Sequence, residues 1–281
     1  MNKKIGLLPW EKYEGRANIG SSRIRGYWVV NHWADAEIFK MGKKYETVIF
    51  QKCYWTEYAE LFNGIKILDL CDPDWLHWGY RVKRMVDSMD AITTSTEALA
   101  IDIRNFTDKP VLCIPDRLDF DTFKIKKVHE GDAKTVVWYG YSSNTIMLDQ
   151  VLYFLDKLKL DLIVISDKNY LIPKRFKNIN LTFIKYKPET INSDILKGDI
   201  VVNPTSAKGK WKYKSKNKTI NAWGLGMPVA TNPDELRKFI SCDERINEVK
   251  IREEEIKNAY DVKLSVKEYE KLIETIKESK K

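Results

Sequence analysis

The sequence predicts an α/β fold made of two Rossmann-like domains, each a parallel sheet covered by helices, facing each other across a cleft. Three observations carry that expectation. The 281 residues suit two compact domains of roughly 100–150 residues each better than one. Short β-branched apolar runs alternate with longer segments whose apolar residues recur three and four apart. This pattern of strand, helix and strand implies crossover connections and parallel pairing. The alternation breaks once, over residues 116–132, which are charged and poor in apolar periodicity.

Taken in order, the first domain is expected over residues 1–115, with strands at 5–8, 47–50, 65–70, 91–94 and 111–114. Ile24, Trp28, Ile38 and Phe39 mark helical spacing between the first two strands. Residues 116–132, ending in Glu130-Gly131-Asp132, read as the linker. The second domain, 133–245, repeats the scheme with strands near 135–139, 162–165, 181–186, 199–203 and 228–231. Residues 246–281 are expected to be C-terminal helices returning to the first domain. There Val266, Tyr269, Leu272, Ile273 and Ile276 keep helical spacing under a charged opposite face.

A composition of 43% apolar and 31% charged residues excludes disorder. The apolar runs are strand-sized, far short of the ~20 residues of a membrane span. The apolar stretch after Lys3 and Lys4 ends by Glu11, too soon for a secretory signal. Cys53, Cys71, Cys113 and Cys242 show no metal-ligand or redox spacing, so reduced thiols of a cytoplasmic protein are expected, with no metal site. The net charge of +8 is compatible with an anionic partner and equally with a surface that merely keeps the chain soluble.

Ligands of open α/β sheets bind beyond the carboxyl ends of strands, so those ends hold the candidates. After the first strand, a small-residue loop over 14–22 brings Gly20 and Ser21 to a helix start, where backbone N–H groups suit phosphate. It lacks the G-x-G-x-x-G dinucleotide fingerprint. The third strand ends in Asp69-Leu70-Cys71-Asp72-Pro73-Asp74, three carboxylates in six residues that suit a metal or a general base, or simply cap the next turn. With His77 these carboxylates are the cluster able to orient or deprotonate a hydroxyl, and Asp72 is the expected base. His32 and His129 lack such a setting and read as core or surface histidines. The first strand of the second domain ends in Gly140-Tyr141-Ser142-Ser143, again glycine and hydroxyls at a helix start.

Beyond Val202-Asn203-Pro204, lysines occupy every second position: Lys208, Lys210, Lys212, Lys214, Lys216 and Lys218. In an extended segment that period aligns six ammonium groups on one face, with Trp211 and Tyr213 on the other. The row reads either as a solvated loop or as a polyphosphate contact with aromatic stacking beside it. The aromatic stretch from Tyr27 to Trp33, with Trp75 and Trp78, reads as core closure ahead of an acceptor groove.

The segment Ser215-Lys216-Asn217-Lys218-Thr219-Ile220-Asn221, followed by Gly226-Met227-Pro228-Val229, resembles the S-x-N-K-x-x-E…G-x-P-V pattern of glycosyltransferases with the GT-B fold. Two further stretches are similar to that family in register: Asp90-Ala91-Ile92-Thr93-Thr94-Ser95-Thr96, and Cys113-Ile114-Pro115-Asp116-Arg117-Leu118-Asp119. With Val136 to Gly140 as the strand-and-glycine element, the resemblance covers residues 5–240. It implies two Rossmann-like domains, metal-independent transfer from a nucleotide-diphosphate sugar, and no cofactor. By that resemblance Lys218 contacts the donor diphosphate, joined by Lys216 and the Thr219 amide. Asn221 stands where the family has a ribose-binding glutamate, and Tyr213 where it has a second one. Tyr141 and Ser142 replace an arginine. Gly20, Ser21, Gly140, Ser142 and Ser143 complete the expected donor set.

The expected function is therefore transfer of a sugar to a hydroxyl acceptor, with Asp72 and Lys218 in the chemistry. Lys208, Lys210, Lys212 and Lys214 are expected to hold an anionic acceptor beside Asp69 and Asp74. Two acceptors stay open: a hydroxymethylated base in DNA, or a membrane-associated glycan or lipid of the cell envelope. The missing glutamates leave open a non-catalytic polyanion-binding module on the same scaffold. A nucleotide-sugar epimerase fits so short a chain less well.

Overall fold

The computed structural model describes residues 4–15, 19–206 and 208–281. The chain forms two compact units. The first comprises Met1–Asp119, Lys208–Ser215 and Tyr260–Lys281; the second comprises Phe120–Ala207 and Lys216–Ala259.

The first unit is built on β1 (Ile5–Pro9), β2 (Ala36–Ile38), β3 (Thr47–Gln51), β4 (Ile65–Leu70), β5 (Ala91–Thr94) and β6 (Val111–Cys113). All pairings are parallel, in the order β2-β1-β3-β4-β5-β6. Helices cover both faces of such a sheet, so β1 and β3 are buried along their whole length and read as unbroken apolar runs. The chain steps from β1 to β2 on one side and then to β3 on the other. That reversal makes the β1/β3 junction the topological switch point.

One expectation fails here. Ile38 lies in a strand and not in a helix. A three-residue strand, Ala36-Glu37-Ile38, is too short to display alternation. The helical segment before it runs through Gly20–Ser22, a π-turn at Arg23–Tyr27, and Trp28–Asn31. Gly26 lets it lie against β1, because a Cβ there would sit 3.2 Å from Pro9 and 3.3 Å from Leu7.

The second unit holds β7 (Thr135–Tyr139), β8 (Asp161–Ser166), β9 (Leu181–Lys185), β10 (Ile200–Val202) and β11 (Val229–Ala230). These are all parallel, in the order β11-β10-β7-β8-β9. Here the switch point falls between β7 and β10. Val136, Trp138, Leu162, Val164, Ile200 and Leu155 fill the core. Asn232 caps the helix Pro233–Lys238 by accepting from the amides of Asp234 and Glu235, with Pro233 preset at its first position.

The termini of the units differ from the expected boundaries. Residues 246–259 belong to the second unit, inside the helix Cys242–Ala259. Arg245 of this helix is fully buried and donates to the carbonyls of Phe239, Ile240 and Gly131 at 3.0, 2.6 and 2.6 Å, which ties the helix to that unit. Part of the expected linker also packs there, with the Lys127 amide donating to Leu225 at 2.8 Å. Only the last helix, Val262–Ser279, sits on the first unit. Its Glu268 takes a bidentate contact from Arg117 at 2.6 and 2.8 Å. Its Tyr269 hydroxyl donates to Asp69 at 3.1 Å.

Candidate functional site

In the second unit the site forms at the switch point. β7 delivers Gly140, and β10 delivers Asn203 just beyond its end. The eight-residue helix Asn217–Gly224 begins beside them. The Tyr139 hydroxyl donates to the Lys218 carbonyl, and the Asn203 amide donates to Thr219 Oγ1 at 3.1 Å, fixing the first turn of this helix to both strands. Lys218 then reaches across the glycine. Its Nζ lies 4.7 Å from the Trp138 ring centre, and a Cβ on Gly140 would stand 2.5 Å from that ammonium. Gly140, at φ +155°, is thus a place where any side chain displaces the cation.

A lysine charge and a helix N-terminus converge on one strand end, the arrangement that holds phosphate. Lys216 is exposed at the N-cap position of the same helix. Asn221, one turn on, keeps its Oδ1 buried and without a hydrogen-bond partner among the described residues.

The neighbouring loop corrects one expectation. Ser142 is not an open phosphate contact, because its amide and hydroxyl both donate to Asp167, at 2.7 and 3.1 Å. Burial works to raise the Asp167 carboxyl, but these hydrogen bonds outweigh it and hold the carboxyl below its ordinary range. Ser166 ties the same corner by donating to the Gly140 carbonyl at 2.8 Å. Ser143 is exposed.

Gly20 and Ser21 stand in the first unit, at the start of its first long helical segment. Residues 16–18 of their loop lie outside the described residues. The mouth of that loop already holds a carboxylate: Glu11 Oε2 accepts from the Ile19 amide at 3.0 Å, which disfavours a second anion there.

At the first unit's switch point, β3 ends in Gln51 and Lys52 follows it. Lys52 adopts a left-handed backbone, φ 52°, and is buried. Its Nζ lies 2.8 Å from Asp72, 3.6 Å from Asp74, and 4.6 Å from the Trp10 ring centre. Lys214 reaches Asp72 from the other side at 3.0 Å. Burial, the largest influence, would raise the Asp72 carboxyl, but the two ammonium groups outweigh it and hold it low. Asp74 accepts from the Tyr54 hydroxyl at 2.6 Å, and burial dominates there, pushing its carboxyl up.

Asp69 leaves the acceptor set. It is fully buried, gripped by Arg25 at 2.6 and 2.8 Å, and also accepts from Thr93 at 2.7 Å and from Tyr269. The π-turn aims Arg25 inward, where it also meets Asp116 at 2.9 Å. His77 is exposed on the helix Trp75–Asp87. His129 is structural, bridging the Gly226 carbonyl at 2.8 Å and Arg245 at 3.2 Å.

The lysine row is not an extended single-faced stripe. Gly209–Tyr213 is a 3₁₀-helix, opened by Gly209 at φ +57°. Three residues per turn send alternate lysines to different faces. The turn is fixed by Tyr213, whose buried ring meets Trp75 edge-on at 5.8 Å and whose hydroxyl donates to Asp102. Lys214 and Lys212 are engaged by Asp72 and by Asp102 at 3.7 Å, while Lys210 lies 5.2 Å from the Trp211 ring centre. Lys208 to Lys214 belong to the first unit and Lys216 and Lys218 to the second.

Sequence reasoning missed Lys52, Trp10, Trp138 and Asp167. Lys52 offered only a basic residue at a strand end; its left-handed conformation leaves no mark in the residue type.

No protein-family model matches the chain, and no curated protein matches it in sequence. Solved structures do. HepE of Anabaena, in complex with UDP and glucose, superposes with a TM-score of 0.68 at 10% identity, over 97% of this chain and 99% of that one. A UDP-forming α,α-trehalose-phosphate synthase of Burkholderia vietnamiensis gives 0.56 at 11% identity, over 83% and 73%. S. aureus TarM, in complex with fondaparinux, alpha-GlcNAc-glycerol and UDP, gives 0.56 at 13% identity, covering 87% of this chain. The chain spans little more than half of TarM, 56%, but nearly all of HepE. The chain thus shares the two-sheet α/β fold of GT-B glycosyltransferases.

Proposed function

We propose that the chain is a glycosyltransferase that takes a sugar from a nucleoside-diphosphate donor and passes it to a hydroxyl acceptor. The observation that carries this reading is the position of the Lys218 ammonium over side-chain-free Gly140 at the β7/β10 switch point. The shared fold with HepE, whose structure holds UDP and glucose, supports it.

The chemistry follows from charge. As the bond from sugar to phosphate oxygen breaks, negative charge grows on the departing β-phosphate. A cation and a helix N-terminus fixed in advance at that phosphate stabilise the transition state more than the ground state. Lys218 and the first turn of Asn217–Gly224 supply both, with Lys216 beside them. Asn221 offers a neutral contact to a ribose hydroxyl, weaker than a carboxylate would give. On the acceptor side, Asp72 is charged at neutral pH but weakly basic between Lys52 and Lys214. It suits orienting an acceptor hydroxyl more than removing its proton.

Isothermal titration with UDP, GDP, ADP and CDP tests the donor half. One nucleoside diphosphate should bind saturably at one site per chain. A chain that binds none of them, while holding polyanions, is a binding module.

A further inference from the structure

The strand β7 shapes more of the second unit's site than Gly140 alone. Trp138, two residues before the glycine, is 1% exposed and belongs to the core cluster of Val136, Val164 and Val202. Yet the far edge of its ring comes up beside the glycine. A Cβ on Gly140 would lie 3.2 Å from Trp138 Cη2, 3.0 Å from Lys218 Cε and 2.5 Å from Lys218 Nζ. The ring and the lysine thus share the space that the glycine leaves open. Lys218 Nζ stands 4.7 Å from the ring centre, within the ~6 Å over which an aromatic face attracts a cation. The next residue of the strand holds the other end of the same lysine, because the Tyr139 hydroxyl donates to the Lys218 carbonyl.

Core packing explains an apolar side chain at position 138 but not its reach. A leucine is too short to carry its end up to the ammonium, and it has no π face. The lysine gains from such a hold, since its four-carbon stem carries rotamer entropy that is lost when the ammonium is fixed. A carboxylate could fix it, but would also cancel the charge that a phosphate has to meet. An indole face attracts the cation and leaves that charge in place. A ring packed in a core is moreover locked by its neighbours, so the position it sets is rigid. We propose that Trp138 is a positioning residue, whose indole face holds the Lys218 ammonium at the end of β7 before a diphosphate arrives. Part of the ordering that binding requires is thereby built into the folded protein. This role rests on the reading of Lys218 as the diphosphate contact, and adds the residue through which that contact is preset.

The test is a double-mutant cycle on the full chain, read by isothermal titration with UDP, or with GDP, ADP or CDP where the wild type binds that one instead. Trp138→Leu removes the π face, Trp138→Phe keeps one, and melting curves show which variants are folded. With Lys218 present, Trp138→Leu should weaken binding about five- to tenfold, as loss of a partly desolvated cation–π contact does. Trp138→Phe should keep most of the affinity. In a Lys218→Met background, Trp138→Leu should change binding by less than about twofold, the scatter of such cycles. A tryptophan that only fills the core would lose equally in both backgrounds, and that result overturns the proposal. A second readout needs no nucleotide. In protein labelled with fluorotryptophan, the fluorine resonance of Trp138 is the one absent from the Trp138→Phe spectrum. Lys218→Met should shift that resonance in the free protein, and an unmoved resonance also overturns the proposal. If no nucleoside diphosphate binds, the donor reading fails by itself, while the resonance still decides whether Trp138 holds Lys218.

Discussion

At the scale of single residues, the donor reading depends on what Gly140 lacks. Adding a methyl group there places carbon 2.5 Å from the Lys218 ammonium, so the lysine must swing away. Gly140→Ala should therefore weaken nucleoside-diphosphate binding about tenfold, since a contact to a charged group is worth ~1.5–3 kcal/mol. Titration calorimetry checks this, with a melting curve to show that the variant is folded. Asp72 gives a pH signature. Its carboxyl is held below the unfolded value of about 4, so folding is favoured fully above that value. The contribution is lost as pH falls through the lower folded pKa. Lys52→Met removes one of the two ammonium groups, and the Asp72 carboxyl followed by NMR should titrate at a higher pH than in the wild type. An unchanged titration would mean that Lys214 alone sets its charge state.

Elements carry the next level of the account. The first unit's sheet is pinned to the π-turn and to the final helix through one buried carboxylate, Asp69, shared by Arg25, Thr93 and Tyr269. Asp69→Ala leaves the Arg25 charge buried with Asp116 as its one remaining carboxylate among the described residues, and breaking such a pair costs about 3–5 kcal/mol. Urea denaturation should show that loss, whereas a loss under 1 kcal/mol would refute the pinning role. This network also explains what the residue pattern revealed and what it hid. Strands such as β3 and β8, with three and four apolar residues in a row, were legible because burial on both faces leaves no polar alternation. The lysine segment was not. Its every-second-residue period implies an extended strip, but Tyr213, anchored on Trp75 and Asp102, winds it into a 3₁₀ turn, and a single tertiary anchor outweighs a charge pattern. Asp69 and Asp72 are alike as residue types and are set apart by partners distant in sequence, Arg25 44 residues from Asp69 and Lys214 142 residues from Asp72.

Over the whole molecule, both sheets place their candidate groups at switch points, Lys218 with Gly140 in one unit and Lys52 with Asp72 in the other. The fold class was legible because strand and helix periods alternate on both sides of residues 116–132. Unit membership was harder to read, since the chain returns to the first unit twice, over Lys208–Ser215 and Tyr260–Lys281. Such returns depend on contacts like Arg117 with Glu268, which local periodicity does not encode.

The central claim is that Lys218 stabilises charge on a departing nucleoside diphosphate, and a direct measurement follows from it. The wild type, incubated with the sugar form of whichever nucleoside diphosphate it binds, should slowly release the free diphosphate even without acceptor. Lys218→Ala should release it at least tenfold more slowly at saturating donor, because the lost contact acts on the transition state. Equal rates for wild type and variant, or no release by the wild type with a bound donor, would contradict the account.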